Sequence, residues 1–274
     1  MKIEDRGAAR IARAFRLGKR AALMPYFTIG YPDYETSLDV IAACCAAGAD
    51  LMELGIPFSD PLADGPTIQR STQIALENGI TVARCLRAVR DLRSRGIETP
   101  FLLMGYINPA LSFGLERFAR EAAASGADGF IIPDLPPDEA GEFSAHCAAH
   151  GLGLVHLLAP NSPPERIALV AARSIPFIYL VSITGVTGAR AGLPPEIGPF
   201  IEKVATLNPD GKPLAVGFGI ATAAQAKAVA EVAAGVIVGS ALIDVVADAI
   251  RDRGSPVEAA TSFIRELRSA VQPS

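Results

Sequence analysis

Eight short apolar runs, each followed by a longer stretch with helical periodicity, succeed one another along this chain without a break. The runs cover residues 21–29, 50–56, 100–106, 129–134, 152–159, 177–183, 214–220 and 235–243. They are near-continuously apolar rather than alternating, which marks strands buried on both faces. The intervening segments 35–47, 81–95, 115–125, 138–150, 163–172, 195–207, 223–233 and 257–271 read as helices. Several close on a glycine, at Gly48, Gly96, Gly126 and Gly151, where a left-handed cap ends a helix. Alternation of this kind builds a parallel sheet, and eight repeats close a (β/α)8 TIM barrel. The expected architecture is α/β, one barrel domain over residues 1–274 with an extra N-terminal helix. An open doubly wound sheet is the alternative. It normally carries fewer strands and a dinucleotide fingerprint, and the G-x-G of Gly217-Phe218-Gly219 fails because Thr222 stands at the sixth position.

The length of 274 residues suits a barrel, which typically takes about 250. Half the residues are hydrophobic and 20% are charged, so the chain is not disordered. A net charge of −4 argues against a nucleic-acid binder or a polybasic membrane binder. It leaves room for a phosphorylated small molecule, because a local nest of backbone amides outweighs a mildly acidic average. Cys44, Cys45, Cys85 and Cys147 show no C-x-x-C spacing and read as free thiols in a reducing compartment. No apolar run approaches the roughly 18 residues of a membrane span. The first twenty residues lack the apolar core of a signal peptide. Arg10, Arg13 and Arg16 raise the option of a transit peptide, which Glu4, Asp5 and the absence of Ser oppose. A short amphipathic helix with Ile3, Ile11, Phe15 and Leu17 facing inward, in a cytoplasmic protein, is the expectation.

In a barrel the chemistry sits at the C-terminal ends of the strands. The last two runs end in Gly217-Phe218-Gly219-Ile220 and Gly239-Ser240-Ala241, the second opening into a helix. Such glycines let backbone N–H groups approach a phosphate, and Ser240 adds a donor. Either pair alone could be a tight turn. The glycine loop Gly185-Val186-Thr187-Gly188 follows the sixth run and can close over a ligand. Glu53 is an ionisable residue inside an apolar run; buried without a partner, it would cost several kcal/mol or be neutralised by a raised pKa. That makes it a candidate general acid–base, with a structurally paired Glu as the alternative. Asp60 and Asp64 lie in the Pro-rich loop beyond it and could be ordinary turn residues. His146 and His150 share one helix face away from the mouth, so a solvated face is expected there and no metal site. His156 lies within the fifth run and could point either way. No lysine occurs in any run, which disfavours a Schiff-base aldolase.

The segment Glu-Leu-Gly-Ile-Pro-Phe-Ser-Asp-Pro-Leu-Ala-Asp-Gly-Pro-Thr-Ile-Gln, from Glu53 to Gln69, closely resembles the signature of the tryptophan synthase alpha subunit family. The resemblance continues in Tyr26-Phe27-Thr28-Ile29-Gly30-Tyr31-Pro32, in Leu103-Met104-Gly105-Tyr106-Ile107-Asn108-Pro109 and in Pro133-Asp134-Leu135-Pro136. With Tyr179 and the glycine loops it spans the whole chain. It implies cleavage of indole-3-glycerol phosphate to indole and glyceraldehyde 3-phosphate. It also implies a beta subunit partner in an alpha2-beta2 complex, with pyridoxal phosphate only in that partner and no cofactor in this chain. Glu53 resembles the family's acid–base, Asp64 the carboxylate that balances charge on the indole nitrogen, and Tyr179 its active-site tyrosine. By the same resemblance Tyr26, Tyr106, Thr187 and Phe218 contact the substrate. Gly188, Gly219, Gly239 and Ser240 hold the phosphate, and Pro57 and Asp60 face the beta subunit. Ile183 stands where some members carry Arg, a departure that touches loop closure. The alternatives carried forward are a stand-alone indole-3-glycerol phosphate lyase, another phosphate-binding barrel, and a catalytically silent activating partner.

Overall fold

A computed structural model of the chain describes residues 7–16, 20–181, 196–217 and 219–272. Among these, nine parallel strands form one sheet: β1 Ala22–Thr28, β2 Met52–Gly55, β3 Phe101–Met104, β4 Gly129–Ile131, β5 Gly153–Val155, β6 Leu157–Leu158, β7 Ile178–Val181, β8 Leu214–Gly217 and β9 Gly235–Val238. Their order is β5-β4-β3-β2-β1-β9-β8-β7-β6. The two ends of that series are one stretch of chain. Gly153–Val155 pairs with β4, and after His156 the chain turns to pair Leu157 and Leu158 with β7. The fifth run is therefore a single broken strand serving both neighbours, and the sheet closes into the eight-run barrel expected from the sequence.

The helices are α1 Ala8–Ala14, α2 Tyr34–Ala46, α3 Pro66–Glu77, α4 Val82–Ser94, α5 Ile107–Phe113, α6 Leu115–Ser125, α7 Gly141–Ala149, α8 Pro164–Arg173, α9 Ile197–Thr206, α10 Ala223–Ala230, α11 Ser240–Arg251 and α12 Pro256–Ala270. Side chains write many of their starts. Asp33, Thr81 and Ser255 accept from the amides of Thr36, Arg84 and Glu258, and Thr222 closes a capping box with Gln225. Pro66 and Pro256 open α3 and α12, where a missing N–H costs nothing. Gly126 ends α6 in the left-handed region at φ 94°. Two helices depart from the sequence reading. Residues 66–77 and 107–113, not among the segments read as helices, are α3 and α5, and the signature segment thus ends inside a helix.

Apolar side chains fill two layers. Inside the barrel lie Ala22, Met24, Leu51, Leu102, Ile131, Val155, Phe177, Ala215 and Ile237, and a larger layer packs the strands against the helices. Helix α1 closes the N-terminal end of the barrel: Ile11 is fully buried in the inner layer, and the Phe15 ring lies 5.0 Å from that of Phe177. Ile3 and Leu17, also expected to face inward, lie outside the described residues. At the same end Asp128, 1% exposed, precedes β4. Its carboxylate accepts from Arg93 at 2.7 Å, Phe101 N at 2.9 Å and Gly7 N at 3.1 Å, with Arg10 at 3.6 Å. That cluster fastens α1 and α4 to the barrel floor and leaves the opposite end for chemistry.

Candidate active site

Strand register sets the centre of the site. Tyr26 on β1 pairs with Glu53 on β2, which pairs with Leu102 on β3. Residues of one parity face the barrel axis, so Glu53 points inward among apolar side chains. It is 0% exposed, and neither carboxylate oxygen has a hydrogen-bond partner among the described residues. Burial alone pushes its carboxyl up to about 8, so at neutral pH it holds its proton. Tyr26 and Tyr179 both feel its charge, and burial raises both phenols further.

Beyond Gly55 the chain crosses the barrel mouth as the Pro-rich loop. Asp64 is half-buried there. Burial raises its carboxyl to about 6, while the Tyr106 hydroxyl favours the ionised form. Tyr106 Oη also accepts from Ala63 N at 2.9 Å, so its one proton is free for Asp64. Gln69 from α3 donates to the Asp64 carbonyl at 2.8 Å. The two carboxyls thus differ. One is neutral and deep, the other ionised above pH 6 and hydrogen-bonded.

A cavity of about 600 Å3 opens over the C-terminal strand ends. Asp64, Ile68, Met104, Leu135, His156, Leu157, Tyr179 and Gly217 are among its walls. Glu53 is not among its walls, whereas Tyr179, which feels the Glu53 charge, is. A second hollow of about 220 Å3 flanks the loop, lined by Phe58, Asp60, Leu62, Ala63, Tyr106 and Asp134. Leu62, 94% exposed, stands at its edge. Asp60 is exposed and accepts from Ser59 Oγ at 2.5 Å, whereas Pro57 is buried within the chain. Of the two residues expected to face a partner, only Asp60 therefore presents a side chain.

His156 resolves toward the site. The break in the fifth run turns it to the cavity wall, 2% exposed, with Leu135 backbone hydrogen-bonded to the ring and Nε2 without a partner. Burial lowers it to about 4, so it is neutral. Strict alternation from Val155 would have sent it outward, and no local signal marks the break. His146 sits half-buried on α7, with Glu142 3.8 Å away, and His150 is exposed just past the end of that helix.

The glycine sites stand at the same end. Gly219 is exposed at φ 64°, a conformation that favours glycine. Gly239 precedes α11 with φ −113°, and a Cβ there would meet Tyr26 at 3.6 Å and Ile68 at 3.8 Å. That is ordinary contact, so the backbone alone does not demand glycine at 239. No described side chain caps α11, which leaves its first amides and Ser240 available. Thr187, Gly188 and Phe218, with Ile183, lie outside the described residues.

Comparison with known proteins agrees with this geometry. The family model described as tryptophan synthase alpha chain matches residues 13–272. Tryptophan synthase alpha chains from Roseiflexus sp. and Chloroflexus aggregans are each 51% identical, over 95% and 94% of this chain and 99% and 95% of their own. Among solved structures, tryptophan synthase subunit alpha from Legionella pneumophila superposes with a TM-score of 0.88 at 37% identity, covering 96% of this chain and 98% of that one. A chain of Mycobacterium tuberculosis tryptophan synthase gives 0.88 at 37% identity, covering 97% and 98%.

Proposed function

This chain belongs to the tryptophan synthase alpha chain family, and from that premise we propose how its own residues divide the work. The reaction is retro-aldol cleavage of indole-3-glycerol phosphate to indole and glyceraldehyde 3-phosphate, a lyase step of tryptophan biosynthesis. The observation that carries the assignment of roles is the fully buried, partner-free Glu53 beneath the mouth of the barrel.

Cleavage needs a proton delivered to indole C3 and a proton taken from the glycerol hydroxyl as the C–C bond breaks. A carboxyl held neutral to about pH 8 can do the first and, once ionised, the second. Glu53 has no hydrogen bond to a described residue to break, so swinging its carboxyl toward the cavity costs none. Protonation at C3 places positive charge on the ring nitrogen. Asp64, ionised above about pH 6 and steadied by Tyr106, offsets that charge. Tyr26, Tyr106, Thr187 and Phe218 contact the substrate, with Met104 and Leu157 adding apolar wall. The phosphate goes to Gly188, Gly219, Gly239 and Ser240, where uncapped amides at the start of α11 favour an anion. Every step is a proton transfer or a charge contact, and this chain calls for no cofactor of its own. Pyridoxal phosphate belongs to the beta subunit, and Asp60 on the exposed loop faces that partner in an alpha2-beta2 complex. The whole chain acts as one barrel domain.

The test is to incubate the purified chain with indole-3-glycerol phosphate and follow indole, with and without beta subunit. Slow cleavage alone and faster cleavage in the complex are expected. No indole from either would overturn the assignment, and no change on adding beta subunit would leave a stand-alone lyase.

A further inference from the structure

Tyr26 is the register partner of Glu53 on the neighbouring strand, and its phenol feels the Glu53 charge. Its hydroxyl stands over Gly55, two residues along β2 on the same face, where an added Cβ would come within 2.2 Å of it. From there a chain of hydroxyls runs away from Glu53 into the barrel wall. Tyr26 Oη lies 3.3 Å from Thr28 Oγ1, which lies 2.8 Å from Ser71 Oγ on α3, which donates to the Ile68 carbonyl at 2.9 Å. Thr28 and Ser71 are both fully buried.

Each hydroxyl has one proton, and this fixes the direction of the chain. A carbonyl only accepts, so the Ser71 proton is spent on Ile68. Thr28 must then donate to Ser71, and Tyr26 must donate to Thr28. The Tyr26 oxygen therefore turns lone pairs, not its proton, toward the rest of its surroundings. We propose that Thr28 and Ser71 are positioning residues that hold the Tyr26 proton away from Glu53, so that this phenol does not donate to the carboxylate and the acid form needed for the first step persists. The inference rests on Glu53 being the acid–base.

Other groups around Glu53 are consistent with this. Tyr179 comes from β7, and Asp64 from the loop acts on both tyrosines; Tyr106 and His156 stand further out at the mouth. The Glu53 oxygens accept from none of them. Ser71 also ties this arrangement to α3, the helix that begins where the Asp60–Asp64 loop ends.

The test is the pH dependence of kcat/KM for cleavage by the isolated chain, which reports the free enzyme. In Ser71→Ala, Thr28 loses its acceptor and can turn its proton to Tyr26, freeing the phenol to donate to Glu53. In Thr28→Val the phenol loses its acceptor directly. Both variants should move the alkaline loss of activity down by about one pH unit, the order expected for one new hydrogen bond to a carboxylate. In a Tyr26→Phe background, Ser71→Ala should move the limb no further, because it acts through the phenol. An alkaline limb in Ser71→Ala and Thr28→Val that matches the parent overturns the proposal. So does an equal Ser71→Ala shift with and without the Tyr26 hydroxyl. If one variant fails to fold, the other carries the test. Glu53→Gln is assayed alongside: retained turnover there would remove the acid–base reading itself, a failure separate from this one.

Discussion

Two buried carboxylates, at opposite ends of one barrel, live by opposite rules. Asp128 at the floor is 1% exposed and Glu53 near the mouth is 0% exposed. Burial pushes both carboxyls up. Around Asp128 two arginines and two backbone amides oppose that push, and the result is a fastened joint between α1, α4 and the barrel. Around Glu53 no described residue opposes it. The lesson is that burial alone does not make a site. A satisfied charge holds the fold, and a charge denied its partners is left with chemistry to do.

The sharpest way to break this contrast is Glu53→Gln, which is nearly isosteric and cannot shuttle a proton. Turnover should fall by about 10³–10⁴-fold, the upper range for general acid–base loss, because one group serves two steps. Stability should move the other way. The folded pKa of Glu53, about 8, lies above its ordinary 4.5. Its contribution is therefore fully present below about pH 4.5 and is lost as pH rises through 8. By linkage the parent should lose about 3 kcal/mol between pH 4 and pH 7 from this group, and the Gln variant should lack that slope. Urea midpoints across pH, beside indole production, measure both. A variant within tenfold of parental turnover would strip Glu53 of its role.

Asp128→Ala should do the reverse. It takes the acceptor from the amides of Gly7 and Phe101 and the buried carboxylate from Arg93 and Arg10, which keep the carbonyls of Gly126, Ile97 and Thr99 and the Glu98 carboxylate, and losing one member of such a buried cluster costs about 3–5 kcal/mol. Turnover per folded molecule should stay at the parental level. A loss of kcat comparable to that of Glu53→Gln would show that the two ends are not separable.

The sequence carried the mouth more plainly than the floor. Glu53 stood out because one ionisable residue interrupts an apolar run, and a single run is enough to see it. Asp128, Arg93 and Arg10 sit in three different elements, and no local pattern links them. The eight runs and their closing glycines were legible because burial on both faces and left-handed caps are local demands. The break at His156 was not, because it answers to β4 on one side and β7 on the other. Helix α3 hid behind the prolines of the signature segment, of which Pro66 starts a helix rather than extending a loop. The half-burial of Asp64 and the tie from Tyr106 to Ala63 likewise depend on chain segments that meet only in the fold.

Asp64 lies between the extremes, half-buried and hydrogen-bonded, and its effect should be intermediate. Asp64→Asn should lower turnover by about 10²-fold, the scale of losing one electrostatic stabiliser, with and without beta subunit. The parent should also lose activity as pH falls through about 6, where Asp64 takes up a proton, and as pH rises through about 8, where Glu53 gives one up. Activity should peak between these values. Asp64→Asn should remove the acid limb and keep the alkaline one. A persisting acid limb would assign it to another group.

Asp60 carries the comparison out to solvent, where the expected effect on chemistry vanishes. It is exposed on the loop that holds Asp64, four residues earlier, and borders the flanking hollow rather than the main cavity. Pro57 is buried and steers this loop from within, since its ring fixes the local backbone. A carboxylate so placed can meet a partner's cation without touching substrate. Asp60→Ala should therefore leave cleavage by the isolated chain unchanged and reduce the rate gain on adding beta subunit by about 5- to 100-fold, the usual span of a coupling free energy. Leu62→Ser, at the exposed rim of the same hollow, should weaken assembly rather than the rate at saturation, because it removes apolar area and no charge. Titrating beta subunit into each variant separates affinity from the saturated rate. If Asp60 serves only to shape the turn with Ser59, Asp60→Ala will lower the unfolding midpoint and depress isolated and partnered rates by the same factor.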